Sequence, residues 1–177
     1  MGGAIKVPGN ITRTAEFNIY SDPLAAKIVF ESGLKNITLI PLDVTRQVVL
    51  TPQLIKKINK NTKVGKFVYD ILEFYINFCI TESGLKGAPL HDPLTVGEVI
   101  NPSFMKKIPL NVRVVTKSEL FNSNRESYDP QKELIKGQTV AELRKGKSIA
   151  HVEPNMQVCL EVNYRSFLKY FVNIINS

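Results

Sequence analysis

The sequence predicts an α/β domain with a largely parallel, mixed sheet flanked by helices. Three observations carry that reading. Apolar stretches that suit strands, at Ile37 to Leu42, Leu110 to Val114, Gly137 to Leu143 and Met156 to Val162, alternate with stretches whose apolar residues recur every three or four positions. Asp-Pro and Thr-Pro pairs open the helical stretches and glycines close them. The 177 residues show no linker and no internal repeat, so residues 1–177 read as a single domain.

Taken in order, Asp22-Pro23 caps a helix that runs through Glu31 and stops at Gly33. The run from Ile37 to Leu42 is a strand ending at Asp43-Val44-Thr45. Thr51-Pro52 opens a short basic helix, and a longer one follows with Val64, Phe67, Val68, Ile71, Leu72, Tyr75 and Phe78 at helical spacing. Gly84 and Gly87 bracket a loop ending in APLHDP, after which Leu94 to Ile100 reads as a helix entered through Asp92-Pro93. Leu110, Val112 and Val114 alternate with Asn111 and Arg113, the period of a half-buried strand. Two further strands, GQTVAEL and MQVCLEV, lead to Asn163, which caps a last helix carrying Phe167, Leu168, Tyr170, Phe171, Ile174 and Ile175. The chain opens on a glycine-rich loop with no strand before it. An α/β domain that starts in this way is expected to lack its first elements.

Composition narrows the function classes. No stretch of about 18 uninterrupted apolar residues occurs, which argues against a membrane-spanning helix. The start MGGAIKVPGN lacks the apolar core of a signal peptide, so a cytoplasmic protein is expected. Cys79 and Cys159 have no CxxC spacing, which excludes a thiolate zinc site and makes them buried thiols. Much of the net charge of +7 sits in Lys56, Lys57, Lys60, Lys63 and Lys66, with a smaller cluster at Arg144, Lys145 and Lys147. Neither cluster is interleaved with aromatics or carries a reader motif, so a solvated helix face is the better reading than a nucleic-acid site.

Asn10, Glu16 and Asn18 crowd the start of the chain. In an extended segment Glu16 and Asn18 project to the same side, and a carboxylate with two amides suits a polyhydroxylated ligand such as ribose. A turn asparagine and a surface charge explain the same residues without a ligand. His91-Asp92 is the second candidate: an imidazole suits protonation of a leaving group near neutral pH, and a carboxylate suits a hard cation or a sugar hydroxyl. Asp92 equally serves as a helix cap before Pro93. Tyr75 lies on an apolar helix face, Asp43 at a strand end serves a site or a turn, and His151 stands alone and reads as structural. No GxSxG, HExxH, P-loop or GxGxxG occurs.

In combination, MGGA at Met1, GNITRTAEFNIYSDPLAAKIVFESG from Gly9, PLDVT from Pro41, GAPLHDPL from Gly87 and the closing GQTV and NMQVCLEVNYRSF resemble the inosine-uridine-preferring nucleoside hydrolase family. The stretches keep the family's order and spacing nearly end to end. The resemblance implies a nucleoside hydrolase-like α/β fold and cleavage of the N-glycosidic bond of ribonucleosides by a calcium-bound water, giving ribose and free base, in nucleoside salvage. It implies that Asn10 and Glu16 hold the 5′-hydroxyl side of the ribose and Asn18 the 2′/3′ side. Asp92 would bind both calcium and ribose, His91 would act as general acid near the leaving base, and Phe17 and Tyr75 would line the nucleoside pocket.

The sequence also departs from the family. The family's opening strand and its DTDxGxDD motif, with further calcium ligands and the base that activates water, have no counterpart here. Arg13 stands where proline is usual and Ser21 where valine is. The expectation is therefore a carboxyl-terminal portion of such a hydrolase, inactive alone, partnered by a complementing amino-terminal half or by further copies of itself.

Overall fold

The computed structural model describes residues 1–116, 135–144 and 152–177. Lys145, Lys147 and His151 lie outside the described residues. The chain forms an α/β structure of two compact units, Met1–Asp43 with Lys107–Glu161, and Val44–Lys106 with Val162–Ser177.

In the first unit, α1 (Phe17–Ser21) and α2 (Pro23–Glu31) follow the opening loop. Asp22 caps α2 as the sequence predicts, its Oδ1 accepting from Ala25 N at 2.8 Å, and Gly33 turns the chain out of it with φ 73°. Only Thr38–Leu39 of the expected strand joins a ladder, as β1. The next residues are diverted because Gly2 N donates to Ile40 O at 3.2 Å and Leu42 N to Gly3 O at 2.9 Å. The segment Leu42–Thr45 then coils into a short helix, α3, along which the chain passes from the first unit to the second.

The second unit opens with β2 (Val49–Leu50) and α4 (Pro52–Ile55), capped by Thr51. The long helix α5 (Lys63–Ser83) is capped by Thr62 and ended by Gly84 at φ 63°. β3 (Ala88–Pro89) pairs antiparallel with β2, and α6 (His91–Ile100) follows. A 3-10 turn, Pro102–Phe104, leads into β4 (Met105–Leu110), a strand the alternation did not reveal because Met105 is buried and both Lys106 and Lys107 are exposed.

Back in the first unit, β5 (Val112–Val114) pairs antiparallel with β6 (Thr139–Ala141), and Val112 and Val114 point inward while Arg113 points out. β7 (Met156–Val162) occupies its predicted span and pairs parallel with β1, in the order β1-β7-β4. The sheet content is thus mixed. A buried cluster of Ile19, Phe30, Leu39, Val112, Val114, Met156 and Val158 fills this unit. Asn155 locks it: its Oδ1 accepts from Val112 N, and its Nδ2 donates to the carbonyls of Phe30 and Val112.

The closing helix α7 (Tyr164–Asn176) belongs to the second unit and is capped by Asn163, again as predicted. Phe167, Leu168 and Val172 are buried, and Phe167 meets Phe104 edge-on at 5.6 Å between ring centres. Helix α5 packs on α4, α7 and β3 through Gly65, Leu72, Ile76 and Cys79. The sequence placed Phe67, Ile71 and Phe78 on the inner face, but they are 66%, 51% and 49% exposed. This helix is apolar around most of its circumference, and the narrower side chains face its neighbours.

Candidate functional site

The opening loop of the first unit is held by side chains that sequence spacing alone does not link. Both oxygens of the Asp43 carboxylate accept backbone N–H groups, from Ile5 at 2.9 Å and Lys6 at 2.8 Å. Thr139 Oγ1 accepts from Ala4 N at 2.9 Å and donates to Ala4 O at 2.7 Å. Asp43 and Thr139 are both buried, and together they fix the MGGAIK segment.

Glu16 is 2% exposed and caps α1. One carboxylate oxygen accepts from Asn18 N at 2.9 Å, and the other accepts from Gly3 N at 3.1 Å and Ile19 N at 3.2 Å. It is therefore not a surface charge, and the segment beyond it is helical rather than extended. What joins Glu16 to Asn18 is a helix cap and not the two-residue repeat of a strand.

Asn10 reaches the same helix start, its Oδ1 accepting from Phe17 N at 2.8 Å. The Asn18 side chain is exposed, with Nδ2 donating to Met1 O at 3.4 Å and lying 3.2 Å from Met1 Sδ. Phe17 is 56% exposed. The structure thus gathers Asn10, Glu16, Phe17 and Asn18 around one helix start, with the Asn10 and Asn18 amides and the Phe17 ring on its accessible side.

In the second unit, His91 is the first residue of α6, not part of a loop, and Asp92 sits in the first turn. Leu90 occupies the cap position with no side-chain hydrogen bond, so Asp92 does not cap the helix. The helix begins earlier than Asp92-Pro93 implies because Pro93 is accommodated inside the first turn, where its missing N–H has no partner to lose. Asp92 is exposed, and its charge there suits the positive end of the helix.

The His91 ring is half-buried, with Nδ1 2.8 Å from Oγ1 of the fully buried Thr45. Thr45 is the residue sequence reasoning missed. The available signal was its place at the end of PLDVT, where a strand gives way to a turn.

Tyr75 is half-buried on α5 and does not belong to the core proper. Burial pushes its phenol up to about 12, reinforced by a hydrogen bond and charge interaction with Cys79 and then by the negative charge of Asp92. Tyr75, Cys79 and Asp92 therefore share one electrostatic neighbourhood.

Calcium takes six to eight oxygens. Among the described residues no group of three or more His, Cys, Asp or Glu side chains converges as a metal site would require. The described residues do not by themselves fit such an ion. No helix among the described residues is long and apolar enough to cross a membrane.

Comparison with known proteins gives a consistent result. The family model described as "Inosine-uridine preferring nucleoside hydrolase" matches residues 1–169. A Dictyostelium discoideum protein named "Probable ribonucleoside hydrolase" is 30% identical over 184 residues, spanning 100% of this chain and 48% of the relative. The pyrimidine-specific ribonucleoside hydrolase RihB of Escherichia coli O1:K1 is 39% identical over 115 residues, 64% of this chain and 36% of its own length. Among solved structures, the purine-preferring ribonucleoside hydrolase from Gardnerella vaginalis superposes with a TM-score of 0.79 at 34% identity, over 99% of this chain and 50% of that one. A plant nucleoside hydrolase superposes with a TM-score of 0.79 at 25% identity, over 99% and 52%. The chain spans about half the length of these full-coverage relatives.

Proposed function

The chain belongs to the inosine-uridine-preferring nucleoside hydrolase family, and from that premise we propose that its residues serve hydrolysis of the N-glycosidic bond of ribonucleosides, completed by a further portion of the fold. The observation that carries this reading is the His91–Thr45 hydrogen bond at 2.8 Å beside the exposed Asp92 at the start of α6. It provides an oriented imidazole followed in the chain by an exposed carboxylate.

In the proposed reaction the bond between the anomeric carbon and the base nitrogen breaks, and its electron pair stays with the base. A water oxygen bonds to the anomeric carbon and gives up its proton to a general base that the completing portion of the fold would supply. The transition state carries positive charge on the ribose ring. Asp92 stabilises that charge and holds a ribose hydroxyl, and His91 delivers a proton to the departing base. Asn18 and Asn10 contact ribose hydroxyls, with Glu16 holding the helix start that presents them. Phe17 and Tyr75 are the aromatic candidates that the family resemblance offers for contact with the nucleoside. Among the described residues, Asp92 is the candidate that the family resemblance offers as a calcium ligand.

A nucleic-acid role for the lysines is less well supported. Lys66 pairs with Asp70 at 2.7 Å, and Lys60 lies over the Tyr69 ring at 4.3 Å, so two of the five cations already have intramolecular partners.

The test is release of free base from inosine, uridine and cytidine with calcium present. The chain is assayed alone and mixed with the separately produced amino-terminal half of the Gardnerella vaginalis hydrolase. Turnover only in the mixture, abolished by Asp92→Asn, is expected. Turnover by the chain alone would overturn the need for a complementing portion, and silence in both would overturn the hydrolase reading.

A further inference from the structure

Residues Gly2 to Lys6 lie in neither helix nor strand, yet every one of their N–H groups donates to a group at least 13 positions away. Gly2 donates to Ile40 O, Gly3 to Glu16 and Ala4 to Thr139, while Ile5 and Lys6 share the Asp43 carboxylate. The three side chains among these acceptors, Glu16, Thr139 and Asp43, are all buried. Buried polar groups add little to stability, but when satisfied they hold the segment they bind in one geometry.

Thr139 makes the closest clasp. Its Oγ1 accepts from Ala4 N at 2.9 Å and donates to Ala4 O at 2.7 Å, so one hydroxyl satisfies both backbone groups of a residue 135 positions away. Gly3 is shaped to it: its φ is 79°, and a Cβ there would lie 3.0 Å from Thr139 Cγ2.

The segment so anchored presents Met1 to the start of α1. Asn18 Nδ2 lies 3.4 Å from Met1 O and 3.2 Å from Met1 Sδ, both of them acceptors. With its nitrogen turned to Met1, the amide directs Oδ1 the other way, and among the described residues that oxygen accepts no hydrogen bond. Asn10 is set with the opposite polarity. Its Oδ1 accepts from Phe17 N at 2.8 Å, which leaves Nδ2 to donate. The accessible side of this helix start therefore offers one acceptor and one donor, each matched to a sugar hydroxyl.

We propose that Thr139 is a positioning residue for ribose recognition. By clasping Ala4 it keeps Met1 against Asn18, and so keeps the Asn18 side-chain oxygen turned toward the 2′/3′ hydroxyl side of the ligand. The identity of the ligand rests on the hydrolase reading, whereas the orientation of the amide rests on the loop geometry alone.

Two measurements separate those parts. Thr139→Val keeps the shape and removes the hydroxyl. In NMR spectra of the 177-residue chain it should raise the exchange rate of the Ala4 amide at least about tenfold. It should also shift the Asn18 side-chain NH2 resonances, with helix content by circular dichroism unchanged. Thr139→Ser retains the hydroxyl and should restore both. Asn18 NH2 resonances unmoved by Thr139→Val would overturn the positioning role, whatever happens to activity. The consequence for recognition is read by base release in the mixture with the amino-terminal half of the Gardnerella vaginalis hydrolase. An acceptor set for a hydroxyl disfavours the analogue that lacks it, so Thr139→Val should lower the kcat/KM preference for inosine over its 2′- or 3′-deoxy analogue about tenfold. Thr139→Ser should return that preference. A structural defect alone would slow all three substrates by the same factor, and such a uniform loss would overturn the proposal. No base release by the unsubstituted chain in the mixture would overturn the hydrolase reading instead, and shifted Asn18 resonances would still support the positioning of its amide by Thr139.

Discussion

Nδ1 of His91 lies 2.8 Å from Oγ1 of Thr45, and Thr45 is wholly buried while the histidine ring remains half-exposed. The buried hydroxyl fixes the ring plane and so orients an imidazole, the side chain suited to proton exchange near neutral pH. The pairing joins two residues 46 positions apart, from a segment that sequence reading treats as a strand end to one it treats as a loop. It gives PLDVT and HDP a shared physical purpose.

Thr45→Val keeps the shape and deletes the hydroxyl. Loss of one partly buried hydrogen bond should lower stability by about 1 kcal/mol, which for a chain of this size lowers Tm by about 2–4 °C. The His91 ring resonances should shift and broaden in NMR spectra as the ring loses its fixed orientation. In the complemented enzyme, kcat should fall roughly tenfold or more with KM little changed, within the ~10²–10⁴-fold that a positioned general acid supplies. Unchanged His91 resonances would show that Thr45 does not position the ring.

The Glu16 carboxylate accepts three backbone N–H groups, two of them from the buried residues Gly3 and Ile19. Glu16→Ala leaves all three without that acceptor and should cost roughly 3 kcal/mol, at about 1 kcal/mol per lost bond. Glu16→Gln keeps one acceptor oxygen and should cost less than half as much. The urea midpoints of the two variants check the order. Equal midpoints would mean that water replaces the carboxylate at this cap.

Tyr75 supplies a pH signature. Burial, then Cys79, then the charge of Asp92 push its phenol up to about 12 from an ordinary 10. The folded state thus holds this proton more tightly than the unfolded chain does. Its contribution to stability is complete below pH 10 and is lost as pH rises through about 12. Tyrosinate absorbance should show a late-titrating component that Tyr75→Phe removes. Asp92→Asn, by deleting one negative charge, should move that component to lower pH. A late component unmoved by Asp92→Asn would separate the two residues electrostatically.

Much of this architecture was legible because local chemistry and tertiary demand agree. Asp22, Thr51 and Asn163 cap where their side-chain oxygens permit, Gly33 and Gly84 end helices where φ must be positive, and MQVCLEV becomes β7 over its full length. What was not legible depends on partners distant in sequence. The strand from Ile37 is cut short because Gly2 and Gly3 bind Ile40 and Leu42. Glu16 is buried because Gly3 and two residues of its own helix share its carboxylate. The inner face of α5 was misplaced because apolar residues surround the helix, and periodicity alone does not say which stripe its neighbours cover. The candidate residues Asn10, Glu16, Asn18, His91 and Asp92 were singled out from motifs, whereas Thr45 needed the fold to bring it to His91.

Gly97 offers a test of packing that sequence does not reveal. It is buried in the middle of α6, where alanine is ordinarily the better helix former by about 1 kcal/mol. Here a Cβ would lie 2.5 Å from Cε2 of Phe167 and 3.1 Å from Cδ2. That ring cannot retreat, because Phe167 is 1% exposed and already meets Phe104 at 5.6 Å and Phe171 at 6.2 Å. Gly97→Ala should therefore destabilise by roughly 1–3 kcal/mol, the usual cost of overpacking. Phe167→Leu alone should also destabilise by leaving a void. Together the two changes should cost less than their sum, since the smaller side chain vacates the space the new methyl needs. Thermal or urea unfolding of the four proteins of this cycle measures the coupling, and strict additivity would show that Gly97 and Phe167 do not share the contact.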